Sequence, residues 1–212
     1  MVRRSLHDVL NASRGPRLAA VAALIVALLA AVAPGTADAG DATIHMVYPH
    51  FVPAITTIAI GQSVDWVNNN GITHTSTGDD PLDFWARHDV PTGTDFDLAF
   101  AYAGSFSFHC SIHTIMTGTI RVPVQVSPSS GATGDAFTIT VRSFVAPAGF
   151  DTIIQIKRPG GSWKPWRKIN GQSTVFHPQQ TGTFHFRSKV ERITLGDSPT
   201  SGFSPSRAIH VH

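Results

Sequence analysis

The chain has 212 residues, with 16 basic and 14 acidic side chains, 11 histidines and one cysteine. Four of the basic residues (Arg3, Arg4, Arg14 and Arg17) precede residue 18, and beyond residue 39 twelve basic residues balance twelve acidic ones. The formal charge of +2 therefore carries no message about nucleic acid, and no basic patch interleaved with aromatics argues for it.

The basic start is followed by "LAAVAALIVALLAAVA" at residues 18–33, then Pro34 and the small-x-small pattern "ADA" at residues 37–39. A basic segment, an apolar run and an A-x-A site together read as a secretory signal over residues 1–39. The run is short for a bilayer span, which needs about 20 residues, so no span is expected in the mature chain. Arg3-Arg4 hints at twin-arginine export, although Ser5, Leu6 and His7 fit that signal poorly. No cysteine lies near the cleavage site, which excludes a lipid-modified N-terminal cysteine. The expected location is the periplasm or cell envelope.

Residues 40–124 alternate with period two. "TTIAIGQSVDWVN" aligns Ile58, Ile60, Val64 and Trp66. "FDLAFAYAGSFSFHC" aligns Phe96, Leu98, Phe100, Tyr102, Phe106 and Phe108, and "TGTIRVPV" adds Ile120, Val122 and Val124. The turn-forming stretches "NNNG", "GDDP", "VPTGT" and "AG" separate these runs. Short alternating strands at such intervals predict an antiparallel sandwich. "VSPSSGATGD", residues 126–135, is rich in small residues and is the expected linker. Alternation then resumes in "FTITV", "TIIQI", "TFHFRSKV" and "RAIHV", with Trp163 and Trp166 flanking Pro165 in a turn or edge strand. The predicted fold is all-β: one sandwich over residues 40–124 and a second, immunoglobulin- or fibronectin-like, over residues 125–212.

Charge divides at the same boundary. Residues 40–124 carry Asp41, Asp65, Asp79, Asp80, Asp83, Asp89, Asp95 and Asp97 against Arg87 and Arg121; residues 125–212 hold ten basic residues against Asp135, Asp151, Glu191 and Asp197. Such opposite halves could dock on each other or steer different partners, or simply be two solvated surfaces.

Exported proteins use cysteines in pairs. The single Cys110 is therefore a buried inert thiol, an interchain bridge, a nucleophile or a metal ligand. Its setting is "FSFHCSIHTIM", residues 106–116. Phe106, Phe108 and Cys110 share one parity, so the thiol leaves its strand on the buried face, while Ser105, Ser107 and His109 face outward. His113 and Met116 follow on the next loop, so a thiolate, an imidazole and a thioether converge within one turn. Soft sulfur ligands suit Cu(I), and two His with one Cys and a weak axial Met is the blue-copper arrangement. Zinc would more often recruit further Cys or His. One imidazole is missing from the turn. His74, after "SVDWVN" and on an expected loop, is the first choice, with His45, His50 and His88 as substitutes. A second metal pair from His45 and His50 or from His210 and His212 is a weaker alternative.

"ITTIAIGQSVDWVNNNGITHTSTG" followed by "AYAGSFSFHCSIHTIMTGTIRV" resembles the cupredoxin family, which includes plastocyanin, pseudoazurin, azurin and amicyanin. The resemblance covers residues from about 42 to 124, and its Cys-x-x-His-x-x-Met spacing is closest to the short ligand loops of amicyanin and pseudoazurin. It implies a Greek-key sandwich holding one copper on His74, Cys110, His113 and Met116. The implied activity is single-electron transport between transient redox partner proteins, with His113 as the electron port and no substrate chemistry. Two positions depart from the family pattern: Thr75 stands where Asn is common, and Ile112 where Pro is frequent. Thr75 is expected to hydrogen-bond toward Ser111, and Asp79, Asp80 and Asp83 to steer a basic partner. The alternative is an extracytoplasmic module that stores, delivers or senses copper. Catalysis by this chain alone is not expected, because related copper enzymes need further copper centres and only one Cys is present. The C-terminal half is expected to be an adhesive or docking module.

Overall fold

A computed structural model describes residues 42–79, 82, 84–146, 148–194 and 198–212. The predicted signal at residues 1–39 lies outside them, as do Asp41, Asp80, Asp83 and Asp197. The described residues form strands and connecting turns only. In the first half these are β1 (Ala42–Val47), β2 (His50–Val52), β3 (Ile55–Thr57), β4 (Ser63–Asn68), β5 (His74–Gly78), β6 (His88–Val90), β7 (Thr94–Ala99), β8 (Gly104–His109) and β9 (Thr117–Val122). In the second they are β10 (Gln125–Ser127), β11 (Ser130–Gly131), β12 (Phe137–Thr140), β13 (Phe150–Lys157), β14 (Trp163–Ile169), β15 (Ser173–Phe176), β16 (Gly182–Arg192) and β17 (Arg207–Val211).

Two sheets build the first half, in the orders β2-β1-β4-β7 and β3-β9-β8-β5-β6. Period-two alternation aims Ile44, Met46, Val64 and Trp66 from one sheet at Phe106, Phe108, Ile120 and Val122 from the other, and all are buried. Trp66 meets Phe108 edge-on with ring centroids 5.4 Å apart, and Phe51 lies 4.7 Å from the same ring. The fit there is tight enough to require a glycine on the neighbouring strand: a Cβ on Gly118 would come within 2.3 Å of Phe108 Cζ. Phe96 and Leu98 share the expected parity but are only half-buried, because β7 is the edge of its sheet.

The second half pairs a three-stranded sheet, β10-β12-β15, with a five-stranded one, β11-β17-β16-β13-β14. Phe137 and Ile139 pack there with Ile154, Ile156, Phe184, Phe186 and Ile209. The segment expected to be a linker is not a free connection. Its start belongs to β10 and Ser130–Gly131 is β11, which runs parallel to β17. These strands are too short to show alternation, so their small residues read as a break in the chain. Pro165 lies in an edge strand, where a missing N–H is tolerated, and the register shifts at Ile154/Gln155 opposite it.

The described residues, all within 42–212, belong to one compact unit. Within it the two pairs of sheets meet along a seam at residues 101–105. Ala103 N–H donates to Val141 O at 2.8 Å, Ser143 N–H to Ala101 O at 3.0 Å, and Ser105 and Gly202 exchange backbone bonds at 3.0 and 3.1 Å. Val190 of β16 joins the first half's apolar cluster, and Phe84 stacks on Phe150. Arg142 is fully buried here beneath Tyr102, its guanidinium donating to Asn170 O and Ile169 O at 3.1 Å each and to Thr152 Oγ1. The seam touches the start of β8, whereas Cys110 follows its end, about 17 Å further along the strand.

Candidate metal centre

The turn between β8 and β9 places three of the candidate residues. Cys110 N–H donates to Met116 O at 3.0 Å and Met116 N–H to His113 O at 2.9 Å, so residues 110–116 close as a hairpin loop above the His109↔Thr117 pair. Cys110 and Met116 are buried as their parity requires, and His113 is half-exposed.

His74 arrives from β5. The sequence reading puts it on a loop; the structure makes it the first residue of a strand, paired with Val90 of β6. Antiparallel pairing of β5 with β8 at Thr77↔His109 and Gly78↔Phe108 then brings residues 74 and 75 beside the Cys110 loop. The result is a triangle of donor atoms. Cys110 Sγ lies 3.9 Å from His74 Nδ1 and 3.5 Å from His113 Nδ1, and the two Nδ1 atoms are 3.1 Å apart. The point equidistant from the three atoms is about 2.0 Å from each, as those edges require, close to ordinary metal–imidazole lengths of about 2.0–2.1 Å. One thiol and two imidazoles, closely spaced and with buried Met116 ending the same loop, are a donor set that fits copper.

Electrostatics prepare the His74 imidazole for this. Burial first, and the adjacent His113 second, push His74 below its ordinary pKa and keep it neutral, as a metal ligand must be. As a ligand through Nδ1, His74 would carry its proton on Nε2. The Asn70 carboxamide lies against it, Nδ2 at 3.0 Å, and a half-turn of that amide presents its oxygen as acceptor. Thr75 N–H donates to Cys110 Sγ at 3.3 Å, and Ser111 N–H donates to Thr75 Oγ1 at 2.7 Å. The Thr75–Ser111 link expected from the sequence is therefore present, carried by the Thr75 hydroxyl.

The substitutes for His74 stay away from the triangle. His45 and His50 are exposed on β1 and β2, and His88 stacks on Phe96 with centroids 4.0 Å apart. His210 hydrogen-bonds Thr183 on the second half. His109, expected outside, is half-exposed and contacts Asp79 and, at 3.3 Å, Ser111 Oγ. Asn70, Thr77 and the Asp79–His109 pair escape a reading by sequence, since Thr77 meets Ser111 34 positions on and Asp79 meets His109 30 positions on, while Asn70 lies in the turn before β5 and reaches His74. The triplet "NNN" was the one local signal for Asn70.

Around the half-exposed His113 ring the surface is apolar. Tyr48 meets it edge-on with centroids 5.2 Å apart, and Ile112 and Ile115 on the same loop are 46% and 65% exposed.

No protein-family model matches the sequence, and no curated protein matches it. Solved structures do. A reduced-state amicyanin mutant shows 20% identity and a TM-score of 0.37 over 39% of this chain and 82% of its own. The purple cupredoxin from Nitrosopumilus maritimus shows 22% identity and a TM-score of 0.36 over 39% of this chain and 99% of its own.

Proposed function

We propose that this protein is an exported, single-copper electron carrier of the cupredoxin type, using His74, Cys110, His113 and Met116. The observation that carries the proposal is the triangle of Cys110 Sγ with two Nδ1 atoms, set between a β-hairpin loop and a neighbouring strand. Copper bound there would supply a one-electron Cu(I)/Cu(II) couple.

The chain's own residues do the rest. Three anchors oppose movement of the donors when charge changes: the β5–β8 register, the Thr75 N–H on the sulfur and the closed turn of residues 110–116. His74 is sealed from solvent, so access to the centre runs through the His113 edge. The apolar rim of Tyr48, Ile112 and Ile115 suits small, short-lived contacts with redox partners. The only thiol is used in this centre, and we propose no substrate chemistry for the chain. The second sandwich, which we take as immunoglobulin-like, meets the first at the far end of β8 and leaves the rim uncovered.

The test is the visible spectrum of the purified chain after adding Cu(II), beside Cys110→Ser. An intense thiolate-to-copper band in the wild type alone supports the proposal, and a colourless protein overturns it. Fast electron self-exchange with slow loss of Cu(I) to a chelator supports a carrier. The opposite pair of results favours copper storage or delivery.

A further inference from the structure

A row of polar side chains joins β5 to the Cys110 loop beside the candidate centre. Ser111 N–H donates to Thr75 Oγ1 at 2.7 Å, Thr75 Oγ1 lies 3.2 Å from Thr77 Oγ1, and Thr77 Oγ1 lies 2.8 Å from Ser111 Oγ. Ser111 Oγ is in turn 3.3 Å from His109 Nε2, and His109 Nδ1 contacts the Asp79 carboxylate.

A hydroxyl both donates and accepts, so Thr75, Thr77 and Ser111 can each hold two neighbours in this row. Thr75 Oγ1 accepts the Ser111 amide and contacts Thr77 Oγ1, which in turn contacts Ser111 Oγ. The row leaves Ser111 at its amide and returns to it at its hydroxyl, with Thr77 between.

We propose that Thr77 is a positioning residue for the metal centre, acting through the hydroxyl row that it completes between Thr75 and Ser111. The row holds the Ser111 amide on Thr75, and thereby holds the Thr75 N–H on Cys110 Sγ. It does with three hydroxyls what a single side-chain amide would do with two contacts. The consequence for copper rests on the function proposed above; the anchoring of the loop does not.

The experiment compares wild type with Thr77→Val, Thr77→Ser and Asp79→Ala. Valine keeps the β-branched shape that suits β5 and removes only the hydroxyl. Asp79 is exposed, so its replacement leaves the core untouched. In the metal-free protein, Ser111 amide hydrogen exchange should accelerate roughly three- to tenfold in Thr77→Val, the effect of one ordinary hydrogen bond. It should accelerate less in Asp79→Ala and return to the wild-type rate in Thr77→Ser, with β9 amides unchanged throughout. With Cu(II) added, Thr77→Val should shift the thiolate-to-copper band. Its reduction potential should fall, because a weakened N–H···S contact leaves more charge on the sulfur. Thr77→Ser should restore both. Unchanged Ser111 exchange in Thr77→Val overturns the positioning role. If wild type shows no copper band, the copper reading fails by itself, and the metal-free exchange still decides whether Thr77 anchors the loop.

Discussion

The Thr75 amide sits 3.3 Å from Cys110 Sγ, although the two residues are 35 positions apart in the chain. The sulfur is thus approached by a backbone donor from β5 and by two imidazoles that are themselves on different strands or loops. Such an arrangement makes the two histidines unequal, and that inequality can be measured.

His74 is fully buried and His113 is half-exposed. Replacing each with glycine should remove the thiolate-to-copper band. Free imidazole at millimolar levels should restore the band in His113→Gly, where the vacated position opens to solvent. In His74→Gly it should not, because β5, β6 and the Cys110 loop close that position. Absorbance titration with imidazole checks both; equal rescue would contradict the burial difference.

Copper should stabilise the fold, since the donors come from two segments brought together only in the folded chain. Free copper at a hundredfold over its dissociation constant adds about 2.7 kcal/mol. For a chain of this size that is a rise of roughly 5–10 °C in Tm. Calorimetry with and without a chelator measures it, and Cys110→Ser should lose most of the shift.

Arg142 offers a test of the seam. Its guanidinium serves three oxygens in a buried setting, so Arg142→Ala should leave these acceptors unpaired and destabilise the protein by about 3 kcal/mol. Arg142→Lys should recover only part of this, because one ammonium cannot reproduce the planar fork. The copper band should be unchanged in either variant that folds, given that the seam meets β8 at the end remote from Cys110. Denaturant unfolding followed by tryptophan emission, beside the visible spectrum, separates the two effects.

The apolar rim predicts a kinetic effect. Ile115 is the most exposed of the rim residues, and aspartate there adds a negative charge to a half that is already acidic. Two copies meeting rim to rim would repel. Self-exchange in Ile115→Asp should slow by about tenfold at low salt and recover much of the loss as salt screens the contact. NMR line broadening in mixed oxidation states gives the rate, with the band position as the control for an intact centre.

How much was legible in the chain differs from one residue to the next. Parity alone buried Cys110, because Phe106 and Phe108 precede it at intervals of two and the strand continues to His109. The spacing to His113 and Met116 needs no more than a short hairpin turn. Both features depend on neighbours within seven positions, the range over which backbone geometry determines where side chains point. The short strands β10 and β11 were illegible for the complementary reason: too few residues to alternate, and partners more than ten positions away.

The choice of His74 over His45, His50 and His88 follows from the pairing of β5 with β8, which no local pattern encodes. The same pairing puts Thr75 against Ser111, Thr77 against Ser111 Oγ and Asp79 beside His109. Read along the chain, the residues yield an all-β protein with a buried thiol, an imidazole and a thioether on the turn after it, and His74 ranked ahead of His45, His50 and His88, because strands and turns are read over a few residues. The fold adds the meeting of His74 with the thiol, the hydroxyls beside the sulfur and the seam at the far end of β8. Those depend on strand order and register, which are set by how whole sheets bury their apolar faces.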